Sequence, residues 1–518
     1  MKRFQTRVVF FLSMIVWGMM VTAFADAQES PSQPPNTQKQ LFLSLDEAIN
    51  AALKNNLDIQ VQKYNPAIKQ EDITNAEAAF DTGVSAQSAQ ALNEPSSTKS
   101  PKYVTSIGTG LGKRFTTGTT YKLSLGTSRG DFGGAETSVT VTDPQTGNTQ
   151  TVSVPIDNAY DTNVTLTLAQ PLLKNRGTEV NTTPIVIAKK QREVSFSALR
   201  AQVINIVSQV KNTYWQLVFA RGDLEAKRLA LQLANDLVKI NEAQVKVGTL
   251  APIDVLQAKS AAAAREVDII SAEKTVRDNE DTLKQLLNIP ETDPLWGAAI
   301  IPSDAPVSTQ QPVSLNECLQ AALENREELQ QLRKSIEIQE LSVNASQNQL
   351  LPQLDLQGNF GFTGDDTTWG NSVGNLFKLD AYAFSVGANF SYPLGNRAAK
   401  SALNKARLTL DQTRLSVQNL EKQITTLVRQ AVRAVETSYR LVGSSKVALQ
   451  LAEQQLDAEQ KKYNEGLSTN FQVLSFQQSL ASAQSRYTQA LTGYNQSLVS
   501  LDQAIGMTLQ RHNIVVNE

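Results

Sequence analysis

Residues able to do covalent or metal chemistry are scarce in this 518-residue chain. His512 is the only histidine and Cys318 the only cysteine, so neither a zinc cluster nor a histidine-activated nucleophile can be assembled. Asp278 and Asp281 stand about one helical turn apart, the material of paired general acid and base. They lie in a charged helical segment, where acidic residues normally face solvent, so a solvated helix face is the expected role. No Gly-rich phosphate loop of the Walker type occurs. The expectation is a protein that is not an enzyme, with no cofactor and no metal.

The informative pattern is instead a duplication. Ser44-Leu45-Asp46-Glu47-Ala48-Ile49-Asn50-Ala51-Ala52-Leu53-Lys54-Asn55 returns as Ser314-Leu315-Asn316-Glu317-Cys318-Leu319-Gln320-Ala321-Ala322-Leu323-Glu324-Asn325, with seven of twelve positions identical. Cys318 thus stands where the first copy has Ala48, a position for a small packed residue. A second echo has Val247-Gly248 followed by Val255-Leu256, and Glu465-Gly466 followed by Val473-Leu474. Both halves run in the same order.

With 48 basic and 50 acidic residues the net charge is −2, which gives no electrostatic footprint for nucleic acid. Lys2, Arg3 and Arg7 precede an apolar run from Val8 to Val21, and Ala23-Phe24-Ala25 has the small-x-small form of a signal peptidase site. Residues 1–25 are therefore read as a secretory signal and 26–40, rich in Pro, Gln and Ser, as a flexible leader. No later stretch is long and apolar enough to span a bilayer as a helix, so a membrane-spanning form must cross as strands.

Val203, Val210, Leu217, Leu224, Leu231, Val238 and Val245 recur every seven residues, a seam that faces a partner helix. The second half offers Leu420, Leu427, Ala434, Leu441 and Ala448, flanked by Leu410, Val417, Ile424 and Ala431. Long helices are predicted over 178–247 and 397–464, each roughly 100 Å at 1.5 Å per residue. Shorter ones are predicted over 45–79, 253–288, 315–350 and 470–506.

Between them the period changes to two. Leu354, Leu356, Gly358, Phe360 and Phe362 alternate with polar or small residues, as do Tyr382, Phe384, Val386, Ala388, Phe390 and Tyr392. Asp161–Gln170 is similar and ends at Pro171, where the missing N–H stops the ladder. A soluble sheet with one buried face shows the same alternation. Strands of about 9–12 residues with aromatics near their ends, behind a signal sequence, favour a transmembrane barrel with a polar lumen. Two strands cannot close, so the chain must add strands or oligomerise. The stretch 80–160 contains alternating segments at Tyr103–Leu111 and Thr119–Gly126 around Lys113-Arg114-Phe115-Thr116-Thr117-Gly118, an extra hairpin whose place is open.

The signal, the duplicated order of helix, strand pair, long helix and short helix, and the paired Gly-x6-Val-Leu signatures resemble the TolC family of outer-membrane efflux and secretion channels, over about Leu41 to Met507. The resemblance implies a mostly α chain with a β-barrel portion, in which a coiled-coil tunnel continues transmembrane strands. Its organisation would be repeat 1 over 41–290 (strands about 80–170), a connecting equatorial segment 291–313, repeat 2 over 314–507 (strands about 354–392), and a tail 508–518. It implies a homotrimer with four strands per protomer, set in outer-membrane lipid with the tunnel in the periplasm, and working with a periplasmic adaptor and an inner-membrane pump.

By the same resemblance the adaptor-docking tips are Gly248, Thr249, Leu250, Ala251 and Pro252, and Gly466, Leu467, Ser468, Thr469 and Asn470. A glycine that tolerates positive φ at a helix end and a proline in the next first turn also suit simple capping. The resemblance further implies a gate in which Tyr463 bonds Asp254. The latch arginine of some members falls at Ser468, and their paired entrance aspartates fall at Gln472 and Ser475, so no acidic ring is expected. The competing reading is a structural periplasmic coiled-coil scaffold, which needs the heptads but not the strands.

Overall fold

The computed structural model describes residues 40–93, 101–142 and 149–516; the expected signal and the leader up to residue 39 lie outside them. Gln40, assigned above to the leader, already belongs to β1 (Gln40–Leu43). There follow α1 (Leu45–Asn55), α2 (Leu57–Glu77), β2 (Gly83–Leu92), β3 (Tyr103–Arg114), β4 (Thr120–Asp131), β5 (Glu136–Thr142), β6 (Thr149–Pro155), β7 (Ala159–Pro171), α3 (Thr178–Lys246) and α4 (Pro252–Leu286). Next come β8 (Ala299–Pro302), α5 (Leu315–Asn325), α6 (Glu327–Asn348), β9 (Gln353–Asp366), α7 (Trp369–Lys378), β10 (Tyr382–Ser391), α8 (Arg397–Asn464), α9 (Asn470–Ile505) and α10 (Thr508–Arg511). Among the described residues no helix is long and apolar enough to cross a membrane.

The long helices match their predicted spans, with 69 residues in α3 and 68 in α8. Two of the shorter helices are interrupted. Asn56 breaks the first because its Oδ1 accepts from the Asp58 and Ile59 amides, capping α2, while its Nδ2 donates to the Leu286 carbonyl at 2.9 Å. Arg326 breaks the second, extended in backbone and paired with Glu328 at 3.0 Å.

The seams also differ from the heptad reading. In α3 the series holds as buried contact through Val203, Val210, Leu217 and Leu224, then burial passes to Ala230, Ala234, Leu237 and Asn241. A helix of 3.6 residues per turn drifts against a seven-residue repeat by about 20° per heptad, so a straight helix changes its buried stripe. In α8 the flanking series Leu410, Val417, Ile424 and Ala431 is the buried one, while Leu427 and Leu441 are exposed.

At mid-length the helices are bound by a belt. β1 pairs parallel with β8 in the connecting segment. The Tyr214 hydroxyl lies 2.8 Å from Asp304 Oδ2 and 3.1 Å from the Leu43 carbonyl, and Tyr494 donates to the Thr309 carbonyl at 3.0 Å. Both rings are fully buried, and desolvation pushes the Tyr214 phenol up to about 12. The tail packs Leu509, Ile514 and Val516 against this core.

One antiparallel sheet has the order β10-β9-β7-β4-β3-β2. Six strands stand where the resemblance implies four, because the segment before β7 forms the hairpin β3–β4 inside the sheet. β5 and β6 pair only with each other. Register puts Phe384, Phe360, Leu166 and Leu123 in one row across β10, β9, β7 and β4. The opposite face carries Ser385, Asn359, Thr165 and Ser124, with Thr167 Oγ1 donating to Asn359 Oδ1 at 2.9 Å. α7, which the sequence reading did not foresee, covers the outer rim of the apolar face: Ser372 Oγ donates to the Gly364 carbonyl at 2.7 Å, and a side chain at Gly364 would meet it.

Candidate functional site

About 100 Å of helix carries the chain away from the sheet to the turns 247–251 and 465–469. Each turn closes its helix in the same way. Gly248 has φ +82° and Gly466 φ +75°; the Thr249 amide returns to the Gln244 carbonyl at 3.0 Å, and the Leu467 amide to the Lys462 carbonyl at 2.8 Å. These six-to-one bonds with a left-handed residue satisfy carbonyls that a helix end leaves open. Nothing lies within 4 Å of a Cβ built on either glycine, so backbone conformation alone selects it.

The following helices start differently. α4 has Ala251 before Pro252, with no side-chain cap. α9 has a capping box, in which Thr469 Oγ1 accepts from the Gln472 amide at 3.3 Å and Gln472 Oε1 accepts from the Thr469 amide at 3.4 Å. Gln472 therefore has a structural task at the start of α9. Ser475 lies exposed one turn on, and Ser468 Oγ bonds Glu459 and Gln472.

Just inside the tips all four helices meet in one polar knot. Tyr463 of α8 donates to Asn241 Oδ1 of α3 at 2.6 Å; Asn241 Nδ2 donates to Asn470 Oδ1 of α9 at 2.9 Å; Asn470 Nδ2 donates to the Asp254 carbonyl of α4 at 3.2 Å. Tyr463, Asn241 and Asn470 are 5%, 0% and 2% exposed, so these bonds have little competition from water. Leu237, Leu456, Val473 and Leu480 seal the knot on its inner side.

The latch expected between Tyr463 and the Asp254 carboxylate is thus differently built. The phenol goes to Asn241, and Asp254 enters through its backbone carbonyl. Its half-exposed carboxylate acts at longer range: burial first, and then the Asp254 charge, push the Tyr463 phenol above its usual value. Asn241 was missed in sequence, although an amide on a coiled-coil seam is a recognisable register device. Also missed were apolar side chains left in solvent around the turns: Val247, Ile253, Leu256 and Phe471 join Leu467, which is 78% exposed.

At the other end, the strand-to-helix corner ties the sheet to the bundle. The Asn175 amide donates to Asn348 Oδ1 at 2.7 Å, and Arg114 donates to Asn181 Oδ1 at 2.6 Å. A polar sheet face, long helices and a hydrogen-bonded tip lie in sequence along one chain. Among the described residues no group of histidine, cysteine or acidic side chains could hold a metal ion.

The fold is that of known channels. The chain resembles the CmeC outer membrane channel of Campylobacter jejuni, with a TM-score of 0.64 at 16% identity over 90% of this chain and 86% of that one. It resembles the outer membrane protein VceC of Vibrio cholerae, at 0.65 and 18% over 89% and 96%. For the open state of the Neisseria gonorrhoeae MtrE outer membrane channel the values are 0.59 and 15% over 90% and 89%. No curated protein matches the sequence significantly. The outer membrane efflux protein family matches twice, over residues 125–288 and 318–507, which together make up more than half of the chain, and the protein belongs to that family.

Proposed function

We propose that this chain is the exit duct of a tripartite efflux or type I secretion assembly, which passively conducts substrates delivered by an inner-membrane pump across the periplasm and outer membrane. The observation that carries this reading is the continuity of a two-faced sheet with two helices each about 100 Å long. A scaffold would use the helices and leave the sheet without a role.

The duct is a homotrimer. The sheet ends in two unpaired edges, β2 and β10, which lipid does not tolerate and other copies can satisfy. Each protomer is two structural copies, 41–290 and 314–507, joined by 291–313, and the two tips, one from each copy, set the periplasmic entrance. The knot of Tyr463, Asn241, Asn470 and the Asp254 carbonyl holds that entrance shut. With Gln472 and Ser475 at its mouth, the entrance lacks an acidic ring and discriminates charge weakly. Gly248–Pro252 and Gly466–Asn470, with the exposed Leu467 and Phe471 beside them, receive the periplasmic adaptor, because clustered exposed apolar side chains mark interaction surfaces.

Outer-membrane fractionation, unheated against heated gel electrophoresis and single-channel recording test the reading together. A heat-labile trimer with mostly low-conductance openings supports it. A species that washes off with urea and forms no channel would overturn it in favour of the scaffold.

A further inference from the structure

The added hairpin has the construction of barrel wall. β3 and β4 have 12 residues each, enough to cross a bilayer as tilted strands, which takes about 9–11. On one face Tyr121, Leu123 and Leu125 stand opposite Leu168, Leu166 and Val164, and Leu111 continues the row beyond Leu123, so the apolar band extends across the hairpin. The other face is small and polar: Ser106, Gly108, Gly110, Ser124, Gly126 and Ser128.

These glycines mark tight curvature. A Cβ at Gly126 would stand 2.8 Å from Asn163 Oδ1, and one at Gly110 would stand 3.0 Å from Ser85 Oγ, so the polar face is the crowded, concave one. The hairpin turn is fastened at the helix side, with Arg114 on Asn181 and Gly118, at φ +92°, pressed against Pro171 and Asn175. A lumenal plug or a surface flap would need neither the lipid-type face nor this anchorage.

The edges agree. β2 leaves the helical end and β10 returns to it, so β2 of one protomer runs antiparallel to β10 of a neighbour; both have ten residues and both are exposed along their length.

We propose that each protomer places six strands in the wall, so that three copies of six close an eighteen-stranded barrel through a β2–β10 seam. The inference rests on the trimeric channel reading above. Barrel diameter grows roughly linearly with strand number, so the exit is about half as wide again as that of a twelve-stranded barrel. Its lining is chiefly Ser, Thr, Asn, Gln and Gly, which suits bulky polar solutes and leaves size selection to the helical end.

Electron cryo-microscopy of the detergent-extracted trimer counts the strands directly. Eighteen, with β2 beside the neighbour's β10, is the expected result; a trimer of twelve strands with β3–β4 outside the ring overturns the inference and leaves the channel reading standing. A particle without a trimeric barrel overturns both. As a second measurement, single cysteines along β2 are oxidised against Val386→Cys on β10 in a Cys318→Ala background. At least one position should give a covalent ladder ending at the trimer, and heat-labile trimers with no ladder at any position would overturn the seam.

Discussion

The two ends of this molecule are completed by different bonds. At the tip, side chains from α3, α8 and α9 and a backbone carbonyl of α4 satisfy one another within a single chain, and the knot is buried. In the sheet the strands are joined by continuous backbone ladders, to which side-chain bonds such as Thr167–Asn359 are added, and the outer edges of β2 and β10 are left over. A side-chain knot is local and can open without unfolding its helices, since only a few bonds change. A ladder is collective and cannot open without exposing a whole edge. If the tip is the gate and the sheet the barrel wall, as proposed, the end that opens is held by the weaker, localised device, and the end sealed in lipid by the collective one.

Paired substitutions on adjacent residues test the sheet half of this contrast. Phe384→Arg puts a cation on the apolar face and should cost about 2–4 kcal/mol at the membrane midplane. Ser385→Arg, one residue on and facing the other way, should be close to neutral. Recovery of heat-labile protein in urea titration measures both, and equal losses would break the assignment of faces.

At the tip, Asn241→Leu should have the next largest effect, because it strands the buried Asn470 Oδ1 at about 1–3 kcal/mol and leaves the Tyr463 hydroxyl only the longer bond to Gln244 Oε1 at 3.4 Å. Channels in planar bilayers should open more often and conduct more, with the trimer intact. Unchanged conductance would separate the knot from the gate. Tyr463→Phe leaves one buried atom, Asn241 Oδ1, without its donor at about 1–3 kcal/mol, and should shift conductance in the same direction but less. A larger effect from Tyr463 than from Asn241 would restore the phenol as the centre of the latch.

The smallest effect belongs to the tail. His512 sits 3.0 Å from Lys211, near Asp502, Arg511 and Asp46, and burial followed by the Lys211 charge pushes its pKa down. The unfolded chain therefore takes up the proton first, and tail docking weakens as pH falls through the ordinary histidine value of about 6.5. Burial pushes the Asp502 carboxyl up, so protonation there works against this loss at lower pH. Thermal melts between pH 7.5 and 5.5 should show a difference of less than about 1 kcal/mol, abolished by His512→Gln; an identical pH slope in that variant would discard the explanation.

The long helices, 69 and 68 residues in the structure, were legible because an apolar residue recurs every seven positions from Val203 to Val245 and a similar series runs from Leu410 to Ala448, and because Gly248 and Gly466 mark their ends. The breaks at Asn56 and Arg326 were hidden because each depends on a partner far along the chain, the Leu286 carbonyl for one and the Ala504 carbonyl for the other. Hairpin β3–β4 gave a faint signal, since glycine dilutes the alternation of its polar face. Asn241 lies between Val238 and Val245 of the apolar seam, and its buried partner Asn470 is 229 residues away, so its role depends on a contact that local spacing does not show. The site itself was half readable: Tyr463 was found, and its partner was not.

The belt around Tyr214 also sets a timetable. The phenol, the Leu43 carbonyl, Asp304 and the ladder from β1 to β8 all lie within the first 304 residues, so this ring can close while the rest of the chain is still being made. β7 has one neighbour upstream in β4, but its other neighbour, β9, begins only at Gln353. The part of the waist around Tyr214 thus asks nothing of the second half of the chain, whereas the wall above it cannot be continuous until that half has added β9 beside β7.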